Sequence, residues 1–262
     1  HLADLHWPDL SDLAFLIPNL ISFFDPIPTY INQHSQIISS FSTHKSVLKC
    51  LSIFLSKPST CIVCLENNIH IHIKNYIQIK DLSYYLKCVN LIYANQPDLD
   101  VFLNLEFVEK LIGFIEPTDA KGVHEIFSFI FFLLNHGYNE FNQDKLFFAF
   151  YKNNECRDFN YLFECYDFIC DMINSHFLQL SAEGEKTIVG FLFELSNQMP
   201  IENINKALTA FTTLFSNPQK TELIDNQEFV GFLENVLETS DCDSSTTALA
   251  SNLLKAMNDS SE

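Results

Sequence analysis

Cys61-Ile62-Val63-Cys64, followed closely by His70 and His72, is the stretch whose residue types could most readily do chemistry. Two thiolates three positions apart, with two imidazoles nearby, could complete a tetrahedral zinc shell. The His-x-His spacing is not that of a zinc finger, however, and both cysteines fall with Leu65 on one face of a helix. A strand through 69–73 would set both imidazoles on one side, whereas a helix would turn them well apart. The segment therefore reads as buried structural cysteines and surface histidines, with no metal and no cofactor expected.

Three other groups invite the same question. His1, Asp4, His6 and Asp9 could collect a metal, but a terminal segment of this kind reads as solvated. Cys165 and Cys170, with Cys156 before them and His176 after, could suggest a Cys/His nucleophile. Their neighbours are apolar or acidic (Phe163, Glu164, Asp167, Phe168, Asp171), which raises a thiol pKa rather than lowering it. The carboxylate pairs Glu183/Glu185 and Asp241/Asp243 sit at loop-to-helix junctions, where acids favour the positive helix end. The chain holds no G-x-x-x-x-G-K-[ST], no G-x-G-x-x-G and no G-x-S-x-G. The expectation is a protein that is not an enzyme.

What would position any of these groups is a set of greasy helices. The stretch from Asp119 to Gly137 is the most apolar. Val123, Ile126, Phe127, Ile130, Phe131, Leu133 and Leu134 recur at helical steps, and Phe129 and Phe132 fill the remaining sides. A helix apolar nearly all round belongs inside a protein, and its run Ile126–Leu134 is about half of what a membrane span needs. Apolar residues make up 47 % of the 262 and phenylalanine alone 26, too greasy for disorder, while only 6 glycines argue against phosphate loops and β sandwiches.

Charge narrows the partners. The formal charge of −18 is uneven: residues 1–100 hold eight acids against six lysines, residues 101–262 the other 25 acids against nine bases. Arg157 is the only arginine, and no basic stripe exists, so neither nucleic acid nor an anionic membrane surface is an expected partner. The eight scattered cysteines and the lack of a leader-like opening point to a reduced, intracellular compartment, cytoplasmic or nuclear.

Along the chain a lead-in gives way to a helix from about Ser11 that Pro18 should kink. Asp25-Pro26-Ile27-Pro28 then makes a break, and a short helix follows over Tyr30–Phe41. Long helices then begin at Thr43 (a candidate N-cap), Asp81, Asp119, Asp158, Ile201 and Asp243, which are 38, 38, 39, 43 and 42 residues apart. Shorter ones lie between them at 103–116, 143–153, 185–197 and 226–238. The segment 69–79 alternates like a strand yet also fits a helix; the helix is expected because a lone strand would have no partner.

Glu106-Phe107-Val108 recurs as Glu228-Phe229-Val230, 122 residues on, or three periods of about forty. A period near forty, built of two or three helices, resembles the armadillo/HEAT-like α-solenoid superfamily in pattern, without a specific family motif. The resemblance implies an all-α, right-handed superhelix of about five to six repeats. On this reading residues 1–42 form an N-terminal helical cap, 43–257 the array and 258–262 a disordered tail.

The same resemblance implies a groove for an extended peptide or a partner helix, and hence a non-catalytic interaction scaffold or adaptor with an acidic surface and a basic partner. Tyr84, Tyr85, Asn90, Asn135, Tyr161, Glu164 and Asp167 are its candidate contacts, from helix position. A nuclear-transport adaptor would carry repeated Trp-x-x-x-Asn, but the one tryptophan, Trp7, lies outside the repeats, so only a divergent version would fit. The other alternative is a regulatory subunit or domain of a kinase- or phosphatase-type assembly, docking through the aromatic run Phe147, Phe148, Phe150 and Tyr151.

Overall fold

The computed structural model describes residues 15–21, 40–75, 82–97, 105–115, 120–152, 158–224, 226–239 and 242–259, and every regular element among them is helical. The helices are α1 (Ile17–Ile21), α2 (Ser40–Leu55), α3 (Pro58–Glu66), α4 (Ile69–Asn75), α5 (Leu82–Asn95), α6 (Leu105–Ile112), α7 (Ala120–Asn135), α8 (Gln143–Tyr151), α9 (Phe159–Asn174), α10 (Ala182–Ser196), α11 (Ile204–Phe215), α12 (Asn226–Glu238) and α13 (Ser244–Asp259). Two 3₁₀ turns, Ile201–Asn203 and Pro218–Leu223, flank α11. The chain is all-α.

Local chemistry explains most of the boundaries. Asp158 accepts from the backbone N–H groups of Asn160 and Tyr161, Asn142 from Lys145 and Ser181 from Gly184, each satisfying donors that a helix start leaves bare. Pro58 opens α3, where its missing N–H is not needed. At the end of α7, Gly137 takes φ +79, so that Tyr138 N–H reaches the Leu133 carbonyl and Gly137 N–H reaches that of Leu134. His176 repeats this closure after α9 at φ 58, a left-handed conformation adopted here without glycine.

Three expectations can be set beside the helices. Thr43 does not cap α2, because the helix already starts at Ser40. Pro18 lies in the first turn of α1, where proline is tolerated, while the helix start expected at Ser11 lies outside the described residues. Segment 69–75 is helix α4, as the partner argument required. The break at 25–28, most of the expected Tyr30–Phe41 helix, residues 76–79 and the end of the tail lie outside the described residues.

The chain divides into two compact units. The first holds His1–Phe114 and Lys121–Asn139, the second Ile115–Ala120 and Glu140–Glu262. In the first, α2 packs on α5, and α3 and α4 close over that pair. Phe129 of α7 lies edge-on to Phe107 of α6 and tilted against Tyr93 of α5. In the second, α9 packs on α11 and α11 on α13, while α8 meets α10. Phe107 and Phe229, the matched positions of the internal repeat, are both buried, each in a short helix that precedes a long one.

Many of the polar ties between distant segments span 34 to 40 residues. In the first unit the Cys88 thiol donates to Leu48 O and the Asn95 amide to Leu55 O, both 40 residues away, and Asn90 donates to the Glu125 carboxylate, 35 away. In the second, Gln143 reaches Phe177 (34), Asp144 reaches Ser181 (37), Tyr166 reaches Asn203 (37), Lys206 reaches Asp167 (39) and Asn205 reaches Ser245 (40). The period read in the apolar pattern thus also spaces the residues that bind one helix to the next.

Two of these packings give direct tests. Tyr85 is fully buried in the first unit and its hydroxyl has no hydrogen-bond partner among the described residues. Tyr85→Phe should therefore raise stability by about 1 kcal/mol, read by urea unfolding; a destabilised variant would show that the hydroxyl is bonded after all. In the second unit, the Asp144 carboxylate accepts from the Ser181 N–H and hydroxyl, and a Cβ on Gly184 would land on that carboxylate. Gly184→Ala should cost about 1 kcal/mol in the native chain and nothing in an Asp144→Ala background. Equal costs in both backgrounds would disprove the contact.

Candidate binding surface

Cys61, Cys64, Cys88, Cys165 and Cys170 are buried, whereas Cys50 and Cys242 are half-buried. Cys61 and Cys64 point from α3 into the first unit with no exposed surface, and burial pushes the Cys61 thiol up to about 11 and the Cys64 thiol, raised further by Cys61, up to about 12. Helix α4 turns His70 and His72 roughly 200° apart around its axis. Among the described residues no group of three or more His, Cys, Asp or Glu side chains could hold a metal ion. Cys165 and Cys170 are buried in α9, the Cys170 thiol pushed up by burial, while His176 stands exposed on the turn beyond. A nucleophile needs an accessible thiolate, and these thiols are buried.

Their ionisation has a measurable consequence. Unfolded thiols ionise near pH 8.5, roughly, so above that the unfolded state holds fewer protons than the folded one. The thiol contribution is complete below the unfolded value and is lost as pH rises toward the folded values. Melting temperature should fall between pH 8 and 10, roughly, and Cys64→Val should flatten that fall. An unchanged slope in the variant would refute the assignment to Cys64.

The carboxylate pairs do structural work. Glu183 and Glu185 lie in the first turn of α10, and Glu185 pairs with Lys220. Asp243 accepts from Thr246 N–H at the start of α13, and these hydrogen bonds hold its carboxyl below the usual range. Asp241, Cys156, Arg157 and the His1–Asp9 group lie outside the described residues.

The predicted contact residues divide between core and surface. Tyr85, Tyr161 and Phe147 are buried and offer a partner nothing, because their helix faces turn inward. Tyr84 is half-buried, with the ammonium groups of Lys45 and Lys49 each 5.2 Å from its ring centre. Asn90 is committed to Glu125, and exposed Asn135 donates back to Phe131 O of its own helix. Glu164 is half-buried; Asp167 shares Lys206 with Asp171, the latter at 2.8 Å. Phe148 and Tyr151 face solvent, Phe148 at 66 % exposure, while Phe150 is buried. Spacing alone had placed these four together; α8 splits them because its two faces differ.

A feature that the sequence did not single out is a furrow in the second unit between α10 and α12. Its larger depression, about 580 Å³, has Phe193, Leu223 and Ile224 as its apolar floor, exposed Glu194 and Glu228 at its edge, and Gly190 on its wall. A smaller one of about 250 Å³ continues past Asn197, over Met199, Ile204, Phe232 and Val236, with Asn235 at the edge. Phe193 is held by edge-on contacts to Phe229 and Phe232, with centroids 5.8 and 5.7 Å away. Both depressions are open, and neither gathers groups suited to acid–base or nucleophilic work.

The surrounding charge is one-sided. Residues 140–262 carry twenty acids against seven bases, and residues 222–243 seven acids with no lysine or arginine. Gly190 is a further signal. A helix-interior glycine costs about 1 kcal/mol relative to alanine, yet a Cβ at Gly190 would meet nothing within 4 Å. The packing of the unit does not call for glycine there.

Comparison with known proteins returns no match. No family model, no curated protein and no solved structure corresponds to the chain. The furrow therefore has to be read from its own chemistry: an apolar floor wide enough for one large side chain, and a negative margin.

Proposed function

We propose that the chain is a non-catalytic protein-interaction module, an adaptor built on armadillo/HEAT-like helical repeats, which binds a short segment of a partner protein. The observation that carries this reading is the α10–α12 furrow, where apolar surface lies open beneath glutamates. Polar ties spaced 34 to 40 residues support the repeat organisation, since each repeat-sized unit then leans on the one before it. The test is selection of binding peptides from a display library, followed by competition on Glu194→Lys and Glu228→Lys variants. Peptides lost by the variants support the reading; binders indifferent to both changes would place the binding surface elsewhere.

A second reading rests on Phe148 and Tyr151, which leave an aromatic pair facing solvent on α8. Such a pair suits docking onto a larger assembly, as for a regulatory subunit of a kinase- or phosphatase-type complex. Phe148→Ser should then abolish co-purification with that assembly while leaving peptide binding at the furrow intact.

A further inference from the structure

The furrow's chemistry names its occupant more closely, an inference that rests on the reading of the furrow as a binding surface. We infer that the α10–α12 furrow receives a basic segment with one aromatic or large aliphatic anchor, the anchor entering beside Gly190 onto Phe193 and Leu223, with lysines or arginines lying against Glu194 and Glu228.

Three independent observations converge on this occupant. The first is volume. The larger depression of about 580 Å³ is floored by Phe193, Leu223 and Ile224. Half-buried Phe193 is fixed from beneath by Phe229 and Phe232, so the floor is firm rather than a side chain free to fold away. A firm apolar floor rewards a matching apolar side chain, since the groups it touches need not be ordered first.

The second is charge. Among the described residues no lysine or arginine lines either depression, and the sequence from 222 to 243 has no base to set against its seven acids. Lys220, the nearest base before that run, is engaged with Glu185. An acidic or neutral segment would gain nothing from this margin, and a second copy of this acidic chain would be repelled. A basic segment is attracted over a distance of about 8 Å at physiological salt.

The third is the wall. Gly190 lines the larger depression without a side chain, although the helix would accept a Cβ there without collision. Its absence keeps the anchor's entry open. Asn197, shared by the two depressions, offers an amide that can meet the partner's backbone.

The experiment measures fluorescence anisotropy of labelled decapeptides carrying one central Phe flanked by lysines. A Phe→Ser version and a version with glutamate for lysine serve as comparisons. The basic Phe peptide should bind, more weakly at high salt. Its affinity should drop about tenfold for the Phe→Ser peptide and on Gly190→Leu, the loss expected of one central anchor. The glutamate peptide should not bind. Gly190→Ala should melt no lower than the native chain, which separates filling the furrow from damaging the helix. Should Gly190→Leu fail to fold, Glu194→Lys with Glu228→Lys tests the same site from the margin. If Gly190→Leu instead weakens an uncharged or acidic peptide, the furrow binds but the basic occupant is wrong. If folded variants leave the binding of every peptide unchanged, both the occupant and the furrow reading fall.

Discussion

Phe229→Ala is expected to lower stability by about 3–5 kcal/mol, the cost of deleting a fully buried ring whose site cannot collapse. The ring has no exposed surface and contacts Phe211 at 4.8 Å, Phe215 at 5.5 Å, Phe193 at 5.8 Å and Phe232 at 5.9 Å between centroids. It therefore joins α10, α11 and α12 at one point, and no neighbour can move into the gap without leaving another partner. Urea unfolding followed by circular dichroism gives the number. Phe148→Ala, which removes an equal ring from an exposed position, serves as the control and should stay within about 0.5 kcal/mol of the native chain. A Phe229 cost below about 1 kcal/mol would mean that the aromatic cluster is not packed as described. The same variant should also weaken peptide binding at the furrow, since Phe193 loses its support.

The second large effect is expected at Gln143, which is buried at the start of α8 yet fully polar. Its Nε2 donates to the Phe177 carbonyl at 3.0 Å and its Oε1 accepts from the Gln179 N–H at 2.9 Å, so one side chain holds the strand of loop that follows α9. Gln143→Leu keeps the shape but strips that carbonyl and that N–H of their glutamine partner, and should cost about 2–4 kcal/mol by leaving two backbone groups in need of water. Hydrogen exchange at Gln179 should accelerate in parallel. A neutral Gln143→Leu would show that solvent reaches the loop and that the amide is dispensable.

Much of the helical framework could be read before folding. The starts expected at Asp81, Asp119, Asp158 and Asp243 fall within one residue of the observed α5, α7, α9 and α13, because capping acids and 3.6-residue apolar spacing are local signals. Thr43 failed as a cap because the helix already starts three residues earlier, at Ser40, and apolar spacing does not fix a helix end to the residue. The interior of α7 was legible as well: Val123, Ile126, Phe127, Phe129, Ile130, Leu133 and Leu134 are all buried.

The surface was legible only in part. Tyr85 and Tyr161 have the polar tip of contact residues and were read as such, yet both lie in the core. Hydroxyl chemistry does not reveal which way a helix is rolled; that depends on which neighbour covers it. Phe148 and Tyr151 differ from Phe147 and Phe150 only by their angle around α8, and it is the latter pair that packs on Phe168 of α9.

From residue order alone came the helix content, the acidic excess of the later half and the interior place of several cysteines, since each follows from local spacing or from simple counting. Tertiary structure alone decided the furrow. Gly190, Phe193, Leu223 and Glu228 are brought together by α10, the 3₁₀ turn Pro218–Leu223 and α12, which are separate in the chain, and an opening exists only where such elements fail to meet.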